Sequence, residues 1–462
     1  MKSLINNLEI TDDSNICINY LINNNIIHHY SNETIELINN SPLINKLRQI
    51  ISSKNNITYK IITEQNIKNI HTKDDPPLIY VLFLMLYKND LLNDISIDKE
   101  YFEKHDIHSF INWYNENQMD LNMIHIKNKI KKENNLLEHI SELIFNPSDI
   151  NRKPLHEMLY FNPFIPINVQ HNAEYNKLIY KQYILSDGSE INIYTNKNSH
   201  NINIDLIIKI FDIFHKITNK KNKIYLTIYL SNIKKKIYEY DYQHYHKLLK
   251  PININSGSTM KNVNVSLWRY EEIYKVLIHE LIHYFSVDFG FETNGYNKAE
   301  EHIQKIININ GEDRLFESYT ETMANIIHCC LLEKITNINI TKLLELEISF
   351  SLLQIGKILN YYNIEKYNDI YNKSKNKINQ STSVLSYFII KGSLLFNLEQ
   401  FFKFTNNEII FGDKLNNYLE LINSTMYNIN YIKHIDYFID YINKCNNKFI
   451  KKTLRMTCLQ IK

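Results

Sequence analysis

Glycine and proline are scarce in this chain, eight of each in 462 residues, so left-handed turns are few and their positions carry information. Arginine is rarer still. Only Arg48, Arg152, Arg269, Arg314 and Arg455 occur among 52 basic residues, while Asn, Ile, Lys and Tyr are in excess throughout. That bias follows AT-rich coding, and it drains functional meaning from Lys234, Lys235 and Lys236 as a run and from the many Asn-x-Ser/Thr matches. Cysteines number five (Cys17, Cys329, Cys330, Cys445, Cys458), with no paired spacing for a disulfide framework or a Cys-x-x-Cys site. A reducing compartment fits, hence a cytoplasmic protein. No apolar run is long: LIYVLFLMLY at 78–87 cannot span a bilayer, and behind Asp75, Pro76 and Pro77 it reads as a buried helix. The opening MKSLINNLEITDD turns acidic before an apolar core develops, so it is not read as a secretory signal. The 52 Lys and Arg balance 50 Asp and Glu to a net charge of +2, which leaves no basic footprint for nucleic acid and no sign of a membrane partner. The oligomeric state is left open.

What is present is apolar material for large cores, 44% hydrophobic with 12% aromatic residues, which at this length suggests two or three domains. Pro147, Pro154, Pro163 and Pro166 mark a boundary. Residues 1–150 read as a mainly helical N-terminal domain, with helices over 34–52, 78–92 and 120–145. Residues 165–335 read as a central domain and 336–462 as a helical C-terminal subdomain able to wall one side of a cleft. Within the middle part, 177–196 alternates around Asp187-Gly188 as a β-hairpin, 204–218 is an amphipathic helix, and 223–231 and 263–268 are strands on either side of a loop at 252–259. Half of the glycines (257, 290, 295, 311) crowd into this region. The fold class expected is therefore α+β and helix-rich.

Chemistry concentrates in EEIYKVLIHELIHYFSVDFG, residues 271–290. His279 and His283, four apart, point to one side of a helix as a pair of nitrogen ligands, and Glu280 sits about 100° round it, where a base acting on a water would have to be. The spacing is His-Glu-x-x-His, the helix motif of zinc proteases, expected by chance only ~0.04 times in a chain of this composition. A catalytic zinc site keeps three protein ligands and an open position, so one more ligand is needed. GEDRLFESYTETMANIIHCCLLEK, 311–334, reads as a helix opened by Gly311, with Leu315, Phe316, Tyr319, Met323, Ile326, Ile327 and Leu331 as its apolar stripe. Glu317 and Glu321 share another face with Ala324 and His328, and one carboxylate can serve as ligand while the other holds a histidine N–H. Asp288, five residues past His283, would be turned about 140° away on a continued helix. The alternative pattern with a glycine and a third histidine is absent, since positions 286 and 289 hold Ser286 and Phe289.

These residues resemble the gluzincins, zinc metallopeptidases such as thermolysin-like, anthrax-lethal-factor-like and clostridial-neurotoxin-like enzymes. NSGST and RYEEIYKVLIHELIHYF are also similar to predicted metallopeptidases of large DNA viruses. The resemblance covers roughly 220–335. It implies a zincin-like core, a small sheet beside the active-site helix with an edge strand that binds extended peptide. It implies Zn²⁺ on His279, His283 and Glu317, with Glu321 behind, the swapped assignment staying open, and Glu280 as general base. Protein or peptide is the implied substrate, endopeptidase cleavage the implied activity, and host cytoplasm or virion the setting if the protein is viral. By analogy with Tyr or His donors in such enzymes, Tyr387 is the candidate transition-state donor. The competing reading is a structural or virion scaffold protein that retains the fold without catalysis.

Lesser candidates have simpler readings. HYH at 244–246 suits a polar connector, His156-Glu157 lacks a second histidine because Tyr160 stands there, His328, Cys329 and Cys330 suit a core, and Cys17 as an inhibitory thiolate rests on position alone.

Overall fold

The computed structural model describes residues 9–67, 164–196, 202–237 and 247–462, with isolated positions at 84, 154–155, 158–159 and 162. The expected helices at 78–92 and 120–145, the HYH stretch and His156-Glu157 lie outside the described residues.

The chain folds as mixed α and β structure, rich in helix, around a six-stranded mixed sheet. It begins with helices α1 (Asp12–Asn23), α2 (Asn32–Asn40) and α3 (Pro42–Ser52), followed by strand β1 (Tyr59–Ile67). After α4 (Ile167–Tyr175) come β2 (Leu178–Leu185), β3 (Glu190–Asn196), α5 (Ile204–Thr218), β4 (Tyr225–Leu230), β5 (Gly257–Met260) and β6 (Asn264–Leu267). The motif lies on α6 (Ile273–Tyr284). Next are α7 (Tyr296–Ile306), the short strand β7 (Ile309–Asn310), α8 (Phe316–Thr336), α9 (Ile340–Tyr361) and β8 (Ile378–Asn379), which pairs with β7. A π-helical turn (Leu385–Ile390) leads into α10 (Lys391–Phe396), α11 (Leu398–Thr405), α12 (Leu415–Met426) and α13 (Ile429–Lys444).

The sheet runs β1-β2-β3-β4-β6-β5, with β3, β4 and β6 parallel and the other pairings antiparallel. The β2–β3 hairpin turns at Asp187 and Gly188 as its sequence predicts, Gly188 taking φ +84°. Helix α5 starts at Asn203, whose side chain accepts from the Leu206 amide, and stops at Asn219 in the left-handed region. The expected loop at 252–259 ends as strand, because Gly257–Met260 pair with β6 and make β5 one edge of the sheet.

Helix α6 packs between this edge and α8, and α8 in turn packs on α3, α9 and the π-helical turn. Burial explains why α8 shows no amphipathic contrast: both its apolar stripe and the Glu317–Glu321 face are inside. It begins at Phe316, not at Gly311. Gly311 instead takes φ +99° where a Cβ would lie 1.9 Å from the Gln380 carbonyl oxygen, so the chain is still turning there. Described residues of 1–150, 165–335 and 336–462 contribute to one contiguous hydrophobic core. Among the described residues no helix is long and apolar enough to cross a membrane.

Candidate metal centre

Helix periodicity on α6 brings His279 Nε2 and His283 Nε2 to 3.1 Å from each other. Glu317, in the first turn of α8, places Oε2 at 3.2 Å from each of these nitrogens. Three ligand atoms at the corners of a tetrahedron around an ion at ~2.0–2.2 Å would be separated by about 3.3–3.6 Å, so the spacing is close to what a metal ion needs. Among the described residues, His279, His283 and Glu317 are the group able to hold one.

Each histidine has a carboxylate behind it. Glu321 Oε1 lies 2.8 Å from His279 Nδ1, at an angle that leaves the ring N–H without a well-aligned partner. Asp288 Oδ2 lies 2.6 Å from His283 Nδ1 and also accepts from the Thr320 hydroxyl at 3.0 Å. Carboxylates on both Nδ1 atoms favour the tautomer with its proton there, which frees both Nε2 lone pairs to converge with Glu317. Glu321 is itself held by a contact with Lys275, one turn before His279 on α6.

Glu280 does not join the cluster but lines the same cleft. Its carboxylate accepts from the Thr259 hydroxyl on β5 at 2.8 Å, and that hydroxyl also lies 2.9 Å from the Glu280 carbonyl. β5 approaches so closely that a Cβ at Gly257 would come 2.6 Å from Glu280 Oε1, so a larger residue there would displace the Glu280 side chain. Tyr387 reaches the cleft from the π-helical turn, its ring centroid 6.2 Å from that of His279. Asp313 fastens this turn to the lead-in of α8 by accepting from the Ser386 hydroxyl at 2.5 Å; burial pushes the Asp313 carboxyl up to about 6.

The field at the cluster favours positive charge. Burial pulls both imidazoles towards neutrality, yet Glu317 and Glu321 around His279, and Asp288 and Glu317 around His283, raise both above the ordinary histidine value. Burial alone would raise Glu317 and Glu321. The facing histidines for one, and Lys275 with His279 for the other, hold both carboxyls well below the usual range. Glu280 is different: burial raises it, only partly offset by His279 and His283. A cation at the meeting point of two imidazole lone pairs and a carboxylate satisfies this field, and the group fits a divalent metal ion.

The structure thus brings His279, His283, Glu317, Glu280 and Tyr387 to one cleft, with Glu321 behind His279. Asp288 is not one of the three converging groups, but neither does it turn away as it would on a continued helix. The helix ends at Tyr284 and Ser286 takes φ +54°, which folds Asp288 back onto His283. No glycine or proline signals this reversal in the sequence. His328, Cys329 and Cys330 lie buried in α8, and Cys17 is buried on α1 and does not line the cleft. Compared with known proteins, the chain matches no family model, no curated protein and no solved structure.

Proposed function

We propose that the protein is a zinc-dependent metallopeptidase of gluzincin type, acting as an endopeptidase. The observation that carries this reading is the convergence of His279 Nε2, His283 Nε2 and Glu317 Oε2 within 3.2 Å of one another, with Glu280 in the same cleft but outside the cluster. Asp288 and Glu321 support it, because ligand histidines characteristically carry an acceptor behind the ring.

His279, His283 and Glu317 would hold the zinc, which when bound supplies Lewis-acid polarisation of a carbonyl and acidifies water. Glu280 takes the proton of the attacking water at its carboxylate and delivers it to the leaving amine. Its burial suits the second half of that task, since a carboxyl with a raised pKa releases a proton less readily to solvent. Thr259 fixes the Glu280 carboxylate by its hydroxyl. The Tyr387 hydroxyl, which burial holds in its protonated form, is the donor for the developing oxyanion. β5, the sheet edge, lies alongside the cleft and offers backbone groups to an extended peptide as an added strand.

The test compares wild type with Glu280→Gln for zinc content and for cleavage of a denatured protein, with a chelator control. The expected result is chelator-sensitive cleavage that falls by roughly 10²- to 10⁴-fold in a variant that keeps its zinc. Zinc-replete wild type that cleaves nothing would favour the scaffold reading, and undiminished cleavage by Glu280→Gln would assign the chemistry to another group.

A further inference from the structure

In a chain that chooses lysine for all but five of its 52 basic residues, each arginine is worth locating. Arg152 lies outside the described residues. Three of the others occupy positions where a planar fork of donors is used. Arg48 grips both oxygens of Glu333, at 2.7 and 2.9 Å. Arg269 donates to the backbone carbonyls of Asn255, Ile233 and Ile252. Arg455 reaches Glu271, Ser14, Gln460 and the Thr457 carbonyl. Lysine, a point charge on a flexible stem, cannot replace that geometry.

Arg314 is the exception. It lines the cleft three residues before Glu317, and among the described residues its guanidinium has no hydrogen-bond acceptor and no ion-pair partner. It is nevertheless held in place: its central carbon lies 5.1 Å from the ring centre of Phe164 and 5.6 Å from that of Phe291, two aromatic rings that also line the cleft. Contact with ring faces positions a guanidinium without using its in-plane N–H groups. The nearby acids are engaged elsewhere. Glu300, whose carboxylate feels the Arg314 charge, accepts from the Tyr296 hydroxyl and the Leu315 amide. Glu292 pairs with Lys261, the other cationic side chain of the cleft wall outside the histidine cluster, at 2.5 Å.

An aromatic-mounted guanidinium with its fork free, beside a candidate peptide-bond-cleaving centre, is a receptor for a carboxylate. We propose that Arg314 recognises a carboxylate of the substrate and makes the cleft selective for peptides that present a negative charge close to the scissile bond. The inference rests on the peptidase reading and adds the substrate class to it. An acidic side chain and a free C-terminal carboxylate offer the same chemistry to the fork, and they are separated by experiment.

The experiment measures affinity, so that it does not depend on turnover. Zinc-loaded Glu280→Gln is titrated with fluorescent peptides in matched pairs: one internal Glu against Gln, and a free C-terminus against its amide in an otherwise neutral peptide. A preference of roughly 10- to 100-fold for the acidic member of one pair is expected, and the pair that shows it identifies the source. Adding Arg314→Gln should abolish the preference while leaving affinity for the neutral members and zinc content unchanged; adding Arg314→Lys should restore only part of it. Equal affinity within both pairs overturns the proposal even if no Arg314 variant folds, and so does a preference that survives Arg314→Gln. Failure of the peptidase reading looks different: wild type then binds acidic peptides selectively but does not cleave them.

Discussion

The two ends of helix α6 are both buried and both charged, yet they are built on opposite principles. At its start, Glu271 and Glu272 meet protonated donors: Glu272 accepts from the Met456 and Thr457 amides at 2.6 Å each and pairs with Lys235, and Glu271 accepts from the Lys235 amide and faces Arg455. Charges there close on one another and tie the helix to the C-terminal segment. At its far end, His279 Nε2, His283 Nε2 and Glu317 Oε2 face one another at the cleft. Buried charge alone therefore does not mark a site. The sign of the groups that converge does: at the near end each carboxylate already meets a donor, whereas at the far end two imidazoles and a carboxylate converge in a group that could hold a metal ion.

Breaking the far end should have the largest effect on metal. His279→Ala or His283→Ala leaves two ligands, and Glu317→Ala leaves two histidines, so each should abolish stoichiometric zinc in metal analysis of purified protein, together with any peptidase activity. Full zinc retained in these variants would dissolve the contrast between the two ends.

Breaking the near end should do the reverse. Arg455→Met strips a fully buried cation from Glu271, a loss of the kind that costs about 3–5 kcal/mol, read as a lower denaturation midpoint. Zinc per folded molecule should stay at wild-type level. A variant that unfolds no more easily but loses zinc would show that the near network belongs to the site.

The carboxylates behind the histidines should come next. Asp288→Asn and Glu321→Gln keep the side-chain shape but weaken the hold on Nδ1, and each should lower zinc affinity or activity by roughly 10- to 100-fold. If Glu321→Gln proved as severe as Glu317→Ala, the ligand and its supporter would have to be exchanged.

Legibility in the sequence follows the same division. His279, Glu280 and His283 could be read because helix periodicity alone sets their relation, and Glu317 and Glu321 because a second four-residue step matched the first. Asp288 could not, since its position depends on where α6 stops, and Phe285 and Ser286 end it without a glycine or proline. β5 read as a loop because GSTM is short and small, and only pairing with β6 makes it a strand. The role of Lys275 was not legible either, because its partner Glu321 lies on another helix, a relation that no local pattern encodes. The amphipathic α5 and the β2–β3 hairpin were legible for the converse reason, since their capping and turn residues act locally.

The smallest effect concerns pH and sharpens the near end alone. Lys357, buried on α9, donates to the Thr453 carbonyl of the C-terminal segment, and burial pushes its ammonium down to about 7. The unfolded chain keeps an ordinary lysine near 10.4, so between about pH 7 and 8.5 the unfolded state binds one more proton than the folded state and stability contributed here rises with pH. Below 7 both states are protonated and the folded state carries the full cost of the buried charge. The slope from this one group is at most about 1.4 kcal/mol per pH unit. Buried thiols such as Cys17, raised to about 12, act in the opposite sense once unfolded thiols begin to ionise near pH 8.5, so the useful quantity is a difference. Denaturant midpoints of wild type and Lys357→Met, taken in half-unit steps from pH 6 to 8.5, should differ by an amount that shifts in favour of wild type as pH rises through 7. A pH-independent difference would mean that Lys357 stays charged in the folded protein, and the near end would then hold a buried cation that its neighbours fully compensate.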